Sequence, residues 1–154
     1  MNDLCRHTFR AGPLNIKYKT IMAVVYQIID RLKLVYARLI GTVDAEALIR
    51  HFKELSQDER YITPMKKLVD CRYCDDYRVS TAEEQKLASL KEVFADKFRN
   101  ERCAIVAPSN LLYGSNRAFQ EQSFDSVIET MVFKNFNDAL AWLQIDINYI
   151  DLDK

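Results

Sequence analysis

The chain has 154 residues, 49% apolar and 29% charged, enough for one domain that buries roughly two-thirds of its unfolded surface. Its 22 basic and 22 acidic side chains cancel, which removes the cationic excess that neutralising nucleic-acid phosphates requires. No window reaches the roughly 18–20 consecutive apolar residues of a membrane span, and the basic residues 1–20 lack the apolar run of a secretory leader. The expected compartment is therefore cytoplasmic, with the four cysteines reduced.

Residues 1–21 have no clean period and contain the breaker Gly12–Pro13, so they read as an irregular arm. Met22 just precedes the first regular element and is a candidate natural start. The runs "AVVYQIID" (23–30) and "KLVYARLIG" (33–41), separated by very few polar residues, predict a hairpin. In "DAEALIRHFKEL" the residues Ala45, Leu48, Ile49, Phe52 and Leu55 recur at helical spacing, with Thr42 or Asp44 as cap. "KKLVDCR" (66–72) predicts a short buried strand with Lys66 and Lys67 at its mouth, followed by a polar loop, "YCDDYRV". Ser80–Glu83 and Thr81–Glu84 form two overlapping S/T-x-x-E capping boxes. They open a helix expected to run to about Asn100, with Leu87, Leu90, Phe94 and Phe98 on its buried face. "RCAIVAP" (102–108) is the next strand, ended by Pro108. A helix from about Asn110, the strand "VIETMVF" (127–133) and a final helix capped by Asn135 complete the series. The tail "QIDINYIDLDK" (144–154), acidic over 146–154, alternates apolar and acidic residues and is expected to add an edge strand or to fray.

The order β-β-α-β-α-β-α-β-α predicts one α/β domain over 22–145. Its fold is a single-layer, mixed and mainly parallel five-stranded sheet flanked by helices. Five pieces in this order carry a resemblance: "KLVYARLIGTVDAEAL", "KKLVDCR", "RVSTAEEQ", "AIVAPSNLLYGSNRAF" and "VFKNFNDALAWL". Together they resemble the SpoIIAA-like family of STAS-type domains, structurally related to the CRAL-TRIO lipid-transfer fold. The resemblance implies a domain that binds rather than catalyses. Its ligand would be a protein partner controlled by serine phosphorylation, or an apolar molecule. The anti-sigma antagonists place the phosphorylated serine in a short Asp-Ser-Ser/Gly-like turn after the third strand. Here the nearest equivalents are Ser80 and Thr81, set apart from Asp70 by the segment 71–79.

Enzymatic chemistry has little support. Cys71 and Cys74 form a CxxC at a strand end, beside Asp75 and Asp76 and away from any helix N-terminus that would lower a thiol pKa. Zinc would need further ligands, for which His7 and His51 are isolated and Cys103 lies near the opposite end of its strand. With glycine only at 12, 41 and 114, the phosphate-loop patterns are absent, as is G-x-S-x-G. No cofactor or metal is expected. In "IVAPSNLLYGSNRAF" (105–119), Leu111, Gly114, Ser115, Ala118 and Gln122 share one mostly small helical side, suited to close packing on a sheet.

Ligands of open α/β sheets sit beyond the carboxyl ends of the parallel strands. That edge collects Arg72, Tyr77, Ser80, Tyr113 and Arg117, with the arginines suited to an anionic group and the tyrosines to an apolar or planar body. The expected function is a regulatory protein-interaction module, binding a partner or a second copy of itself. The alternative is a small carrier of a lipid or other apolar molecule, which requires a cavity on the order of several hundred Å³ among Tyr36, Leu87, Phe94, Phe98 and Phe119.

Overall fold

The computed structural model describes residues 23–93, 95–110, 113–114 and 128–150. Strand β1 (Val24–Ile29) pairs antiparallel with β2 (Leu34–Asp44), from Val24 opposite Leu39 to Ile29 opposite Leu34. A 3-10 turn over Asp30–Leu32 closes the hairpin, and Lys33 completes it in the left-handed region with φ 47°. Helix α1 (Ala45–Gln57) follows, and of its two candidate caps Asp44 is the one used: its Oδ1 accepts from the Ala47 amide at 2.9 Å. Then come β3 (Lys66–Arg78), α2 (Thr81–Val93), the short α3 (Ala95–Phe98), β4 (Glu101–Val106), β5 (Ile128–Phe133) and α4 (Phe136–Leu143). As expected, Asn135 caps the last helix, accepting from the amides of Asn137 and Asp138.

The sheet order is β1-β2-β3-β4-β5, parallel from β2 onward. Strands that advance in one direction by same-handed crossovers lay their connecting helices on one face. Accordingly Leu48, Ile49, Phe52 and Leu55 of α1 and Leu87 and Leu90 of α2 share a core with Val35, Leu39 and Val43. The alternate residues Leu34, Tyr36, Leu68, Ala104 and Val106 face the other way, against Phe136, Ala139, Leu140 and Leu143 of α4.

One expectation about strand extent is corrected. "YCDDYR" is not a loop, because β3 continues through it to Arg78. Two register shifts accommodate extra residues of β3, one between Arg38 and Ile40 of β2 and one between Gly41 and Thr42. Gly41 sits there with φ +68°, a conformation that disfavours a side chain. The segment reads as polar because β4 pairs only with residues 66–70, so beyond that point β3 is paired on one side only, with β2. In the tail, residues 144–150 contain no strand, and 151–154 lie outside the described residues. A 3-10 turn over Ile147–Tyr149 carries Ile145 and Ile150 into the second core.

Candidate functional site

The residues expected along the carboxyl edge do not form one site. Arg72 points toward α4, where its guanidinium lies 3.9 Å above the Phe136 ring. Its Nε and Nη2 donate to the buried Asp70 carboxylate at 2.9 and 2.8 Å, and the Tyr36 hydroxyl donates to the same group at 2.8 Å. That arginine is committed to the protein. Tyr77 lies on the opposite face, packed into the first core, and burial raises its hydroxyl pKa. Tyr113 is half-buried against that same core, with the Lys134 ammonium 5.0 Å from its ring and bonded to Asn110 Oδ1 at 2.9 Å. Arg117, Phe94 and Phe119 fall outside the described residues. Gly114 is exposed, with open space where a Cβ would stand, so no close approach to the sheet requires glycine there.

Ser80 is engaged as a cap. Its amide donates to Glu83 Oε2 at 2.8 Å and its Oγ accepts from the Glu83 amide at 3.2 Å, a reciprocal capping box. The second box does not form: Thr81 is exposed, while Glu84 turns inward and burial raises its carboxyl pKa. A phosphate on Ser80 would stand against the Glu83 carboxylate that now closes the box. Ser80→Ala is expected to lower stability by about 1 kcal/mol through loss of the cap, measured as a shift in urea midpoint. An unchanged midpoint would show that the box contributes nothing.

A different place in the fold gathers chemistry. Lys67 opens β3 and Glu101 opens β4, at the amino ends of the parallel strands, and both side chains are enclosed (7% and 0% exposed). Lys67 Nζ lies 2.8 Å from Glu101 Oε2, a close ion pair whose bent approach gives neither atom a well-aligned hydrogen bond. Glu101 Oε1 accepts from the Tyr61 hydroxyl, from Thr63 Oγ1 at 3.3 Å and from the Met65 amide at 3.0 Å. The Lys67 ammonium also sits 3.5 Å from the Phe98 ring centroid. Burial pulls the lysine pKa down, partly offset by Glu101.

Above this pair, between the sheet and α1, lies a crevice of about 80 Å³ lined mainly by apolar side chains, among them Val35, Leu48, Phe52 and Val69. His51 lines it from the helix and Lys67 from the sheet. His51 Nδ1 is buried with no hydrogen-bond partner, its ring edge-on to Tyr26 at 5.2 Å. Burial, reinforced by the Lys67 charge, lowers its pKa to about 4, so the imidazole is neutral at pH 7. Cys71 lines the same space, and burial raises its thiol pKa, the reverse of what a reactive thiol needs.

The sequence signal for this cluster was present but small. Lys67 occupies the inward side of an alternating strand, in phase with Val69 and Cys71, and Glu101 begins a parallel neighbour. Two opposite charges at adjacent strand mouths become a buried pair once the register is known.

This arrangement is an α/β fold carrying a buried charge pair beneath an apolar crevice. Among solved structures the chain is similar to an uncharacterised protein of the DUF3478 family, with a SpoIIAA-like fold, from Shewanella loihica PV-4. The TM-score is 0.53 at 20% identity, covering 79% of this chain and 94% of that one. The chain thus has the SpoIIAA-like fold expected from its sequence. No family model matches it, and no curated protein does. No helix among the described residues is long and apolar enough to cross a membrane.

Proposed function

We propose that this is a non-enzymatic binding domain whose ligand is a small, neutral, mostly apolar molecule seated in the crevice between the sheet and α1. The observation that carries this reading is the unpartnered, buried Nδ1 of His51, a residue that lines a mostly apolar space. A buried polar atom without a partner is uncommon and costly, and a ligand hydroxyl or amide would satisfy it. The neutrality follows from charge balance. Lys67 is already matched by Glu101, so a ligand carboxylate would bring an uncompensated charge into the core. About 80 Å³ is roughly half of the about 150 Å³ that takes one benzene, so the space admits a short or branched chain of a few heavy atoms and not an aromatic ring. The carrier reading therefore narrows from lipids to small molecules. The regulatory partner-binding reading has less support, because Arg72 and Ser80 are engaged internally. Among the described residues the exposed large apolar side chains also fall at three separate places in the chain, Ile62, Tyr73 and the turn holding Ile147 and Tyr149.

Native mass spectrometry of gently purified protein is expected to show excess mass that denaturation releases as a small organic molecule. In parallel, titration with 2-propanol, tert-butanol and acetone is expected to shift the His51 imidazole resonances. A bare chain mass together with unmoved His51 resonances for all three probes would overturn the proposal. A covalent phosphate on Ser80 or Thr81 would return the regulatory reading to first place.

A further inference from the structure

The opposite face of the sheet carries a groove of about 420 Å³ where the strands begin, below the carboxyl end of α4. It is lined by Arg31, Lys33, Lys66 and Arg102, with Asn100 and the apolar Leu32, Pro64 and Met65 between them, and among the described residues no acidic side chain lines it. Four cations converge there in a chain whose formal net charge is zero.

The two arginines are held by the fold. Arg31 Nη2 donates to the Tyr149 carbonyl at 2.8 Å, with the guanidinium 5.2 Å from that ring. Arg102 stacks 3.9 Å from the Trp142 ring and donates to the Trp142 carbonyl at 3.0 Å. Its Nε meets Glu129, a largely exposed acid, at 3.2 Å. The two lysines are not held in this way, and neither Lys33 nor Lys66 has an ion-pair partner among the described residues. Register makes the crowding acute. Lys66 of β3 stands directly beside Arg102 of β4, and like charges so placed on neighbouring strands destabilise a sheet. The Lys66 amide donates to the Lys33 carbonyl at 2.8 Å, which ties the hairpin turn to the same strand mouth.

We propose that this groove binds a phosphate-bearing ligand, with Lys33 and Lys66 as its principal charge contacts and Arg31 and Arg102 flanking them. A phosphate monoester carries close to two negative charges at neutral pH and three acceptor oxygens, enough to reach several cations at once. A monocarboxylate supplies one charge and two oxygens. The apolar wall of Leu32, Pro64 and Met65 receives the body of the molecule. The site lies on the other face from the His51 crevice and does not depend on it.

Trp142 is the only tryptophan of the chain and stacks on a groove arginine, so its fluorescence reports occupancy directly. Titration with inorganic phosphate and with glycerol phosphate, at constant ionic strength, is expected to give a saturable change. Vesicles of phosphatidylcholine with and without phosphatidic acid form the second arm. A response to glycerol phosphate assigns the site to soluble monoesters. A response confined to phosphatidic acid vesicles assigns it to a lipid headgroup. Lys33→Asn combined with Lys66→Gln is expected to weaken binding at least tenfold, asparagine being chosen because it tolerates the left-handed backbone at position 33. Lys53→Gln, on the exposed side of α1, is expected to leave binding unchanged. Lys66→Gln alone serves if the double variant folds poorly by circular dichroism. No saturable change with any probe, or equal affinity in the wild type and the groove variants, would overturn the proposal.

Discussion

Glu101→Leu is expected to be severely destabilising, by about 3–5 kcal/mol, because it removes one partner of a fully enclosed ion pair. The substitution leaves the Lys67 amine uncompensated in an apolar core, beside the Phe98 and Tyr61 rings. It also strips an acceptor from the Tyr61 hydroxyl, the Thr63 hydroxyl and the Met65 amide. Lys67→Met is expected to cost less, since the carboxylate keeps those three donors. The double variant should be less damaging than the sum of the two single changes by about 1–3 kcal/mol, because neither charge is then left alone. Urea unfolding of the four proteins closes this cycle. Glu101→Leu within about 1 kcal/mol of wild type would mean the pair is not the anchor of the strand mouths.

The second large effect is a loss of stability in mild acid that depends on His51. In the unfolded chain this imidazole titrates near 6.5, and in the folded protein near 4. Between those values the unfolded state holds more protons, so folding stability falls as pH is lowered through that window and is fully present above it. At about 1.4 kcal/mol per pH unit, the full loss is about 3 kcal/mol. His51→Leu keeps the apolar contacts with Phe52 and Tyr26 and removes both the buried titration and the unsatisfied nitrogen. The variant is expected to match or exceed wild-type stability at pH 7 and to lose less between pH 6.5 and 4. Chemical denaturation at pH 7, 5.5 and 4.5 measures the difference. Parallel pH curves for the two proteins would show that His51 is not buried as a neutral base.

Much of the local structure was legible because its signals are short in range. Asn135 before an apolar-periodic run is a cap wherever it occurs, and so is Ser80 with Glu83 three residues on. The hairpin, the helical stripe of α1 and the alternation of strands with helices were all carried by periodicity and β-branched runs. The polar stretch "YCDDYR" misled for a physical reason. Composition reports burial, and a strand that outruns its neighbour on one side is half-solvated and reads as a loop. The same limit hid Thr81's failure to form a capping box, since whether Glu84 turns back to the backbone or inward depends on what packs above it.

The sequence by itself determined the order of the described elements, the caps at Ser80 and Asn135 and the SpoIIAA-like fold, because each rests on contacts within a few residues or on the period of apolar positions; the helix expected from about Asn110 lies largely outside the described residues. Only the tertiary structure decided which side chains meet. Strand alternation sends Arg72 and Tyr77 to opposite faces, so a shared edge in sequence order became two separate environments. Register brought Lys67 to Glu101 across 34 residues and Lys66 to Arg102 across 36. It also set His51 of α1 over the first pair and Trp142 of α4 beside the second. Such meetings follow from parallel pairing between distant segments, which no local spacing encodes.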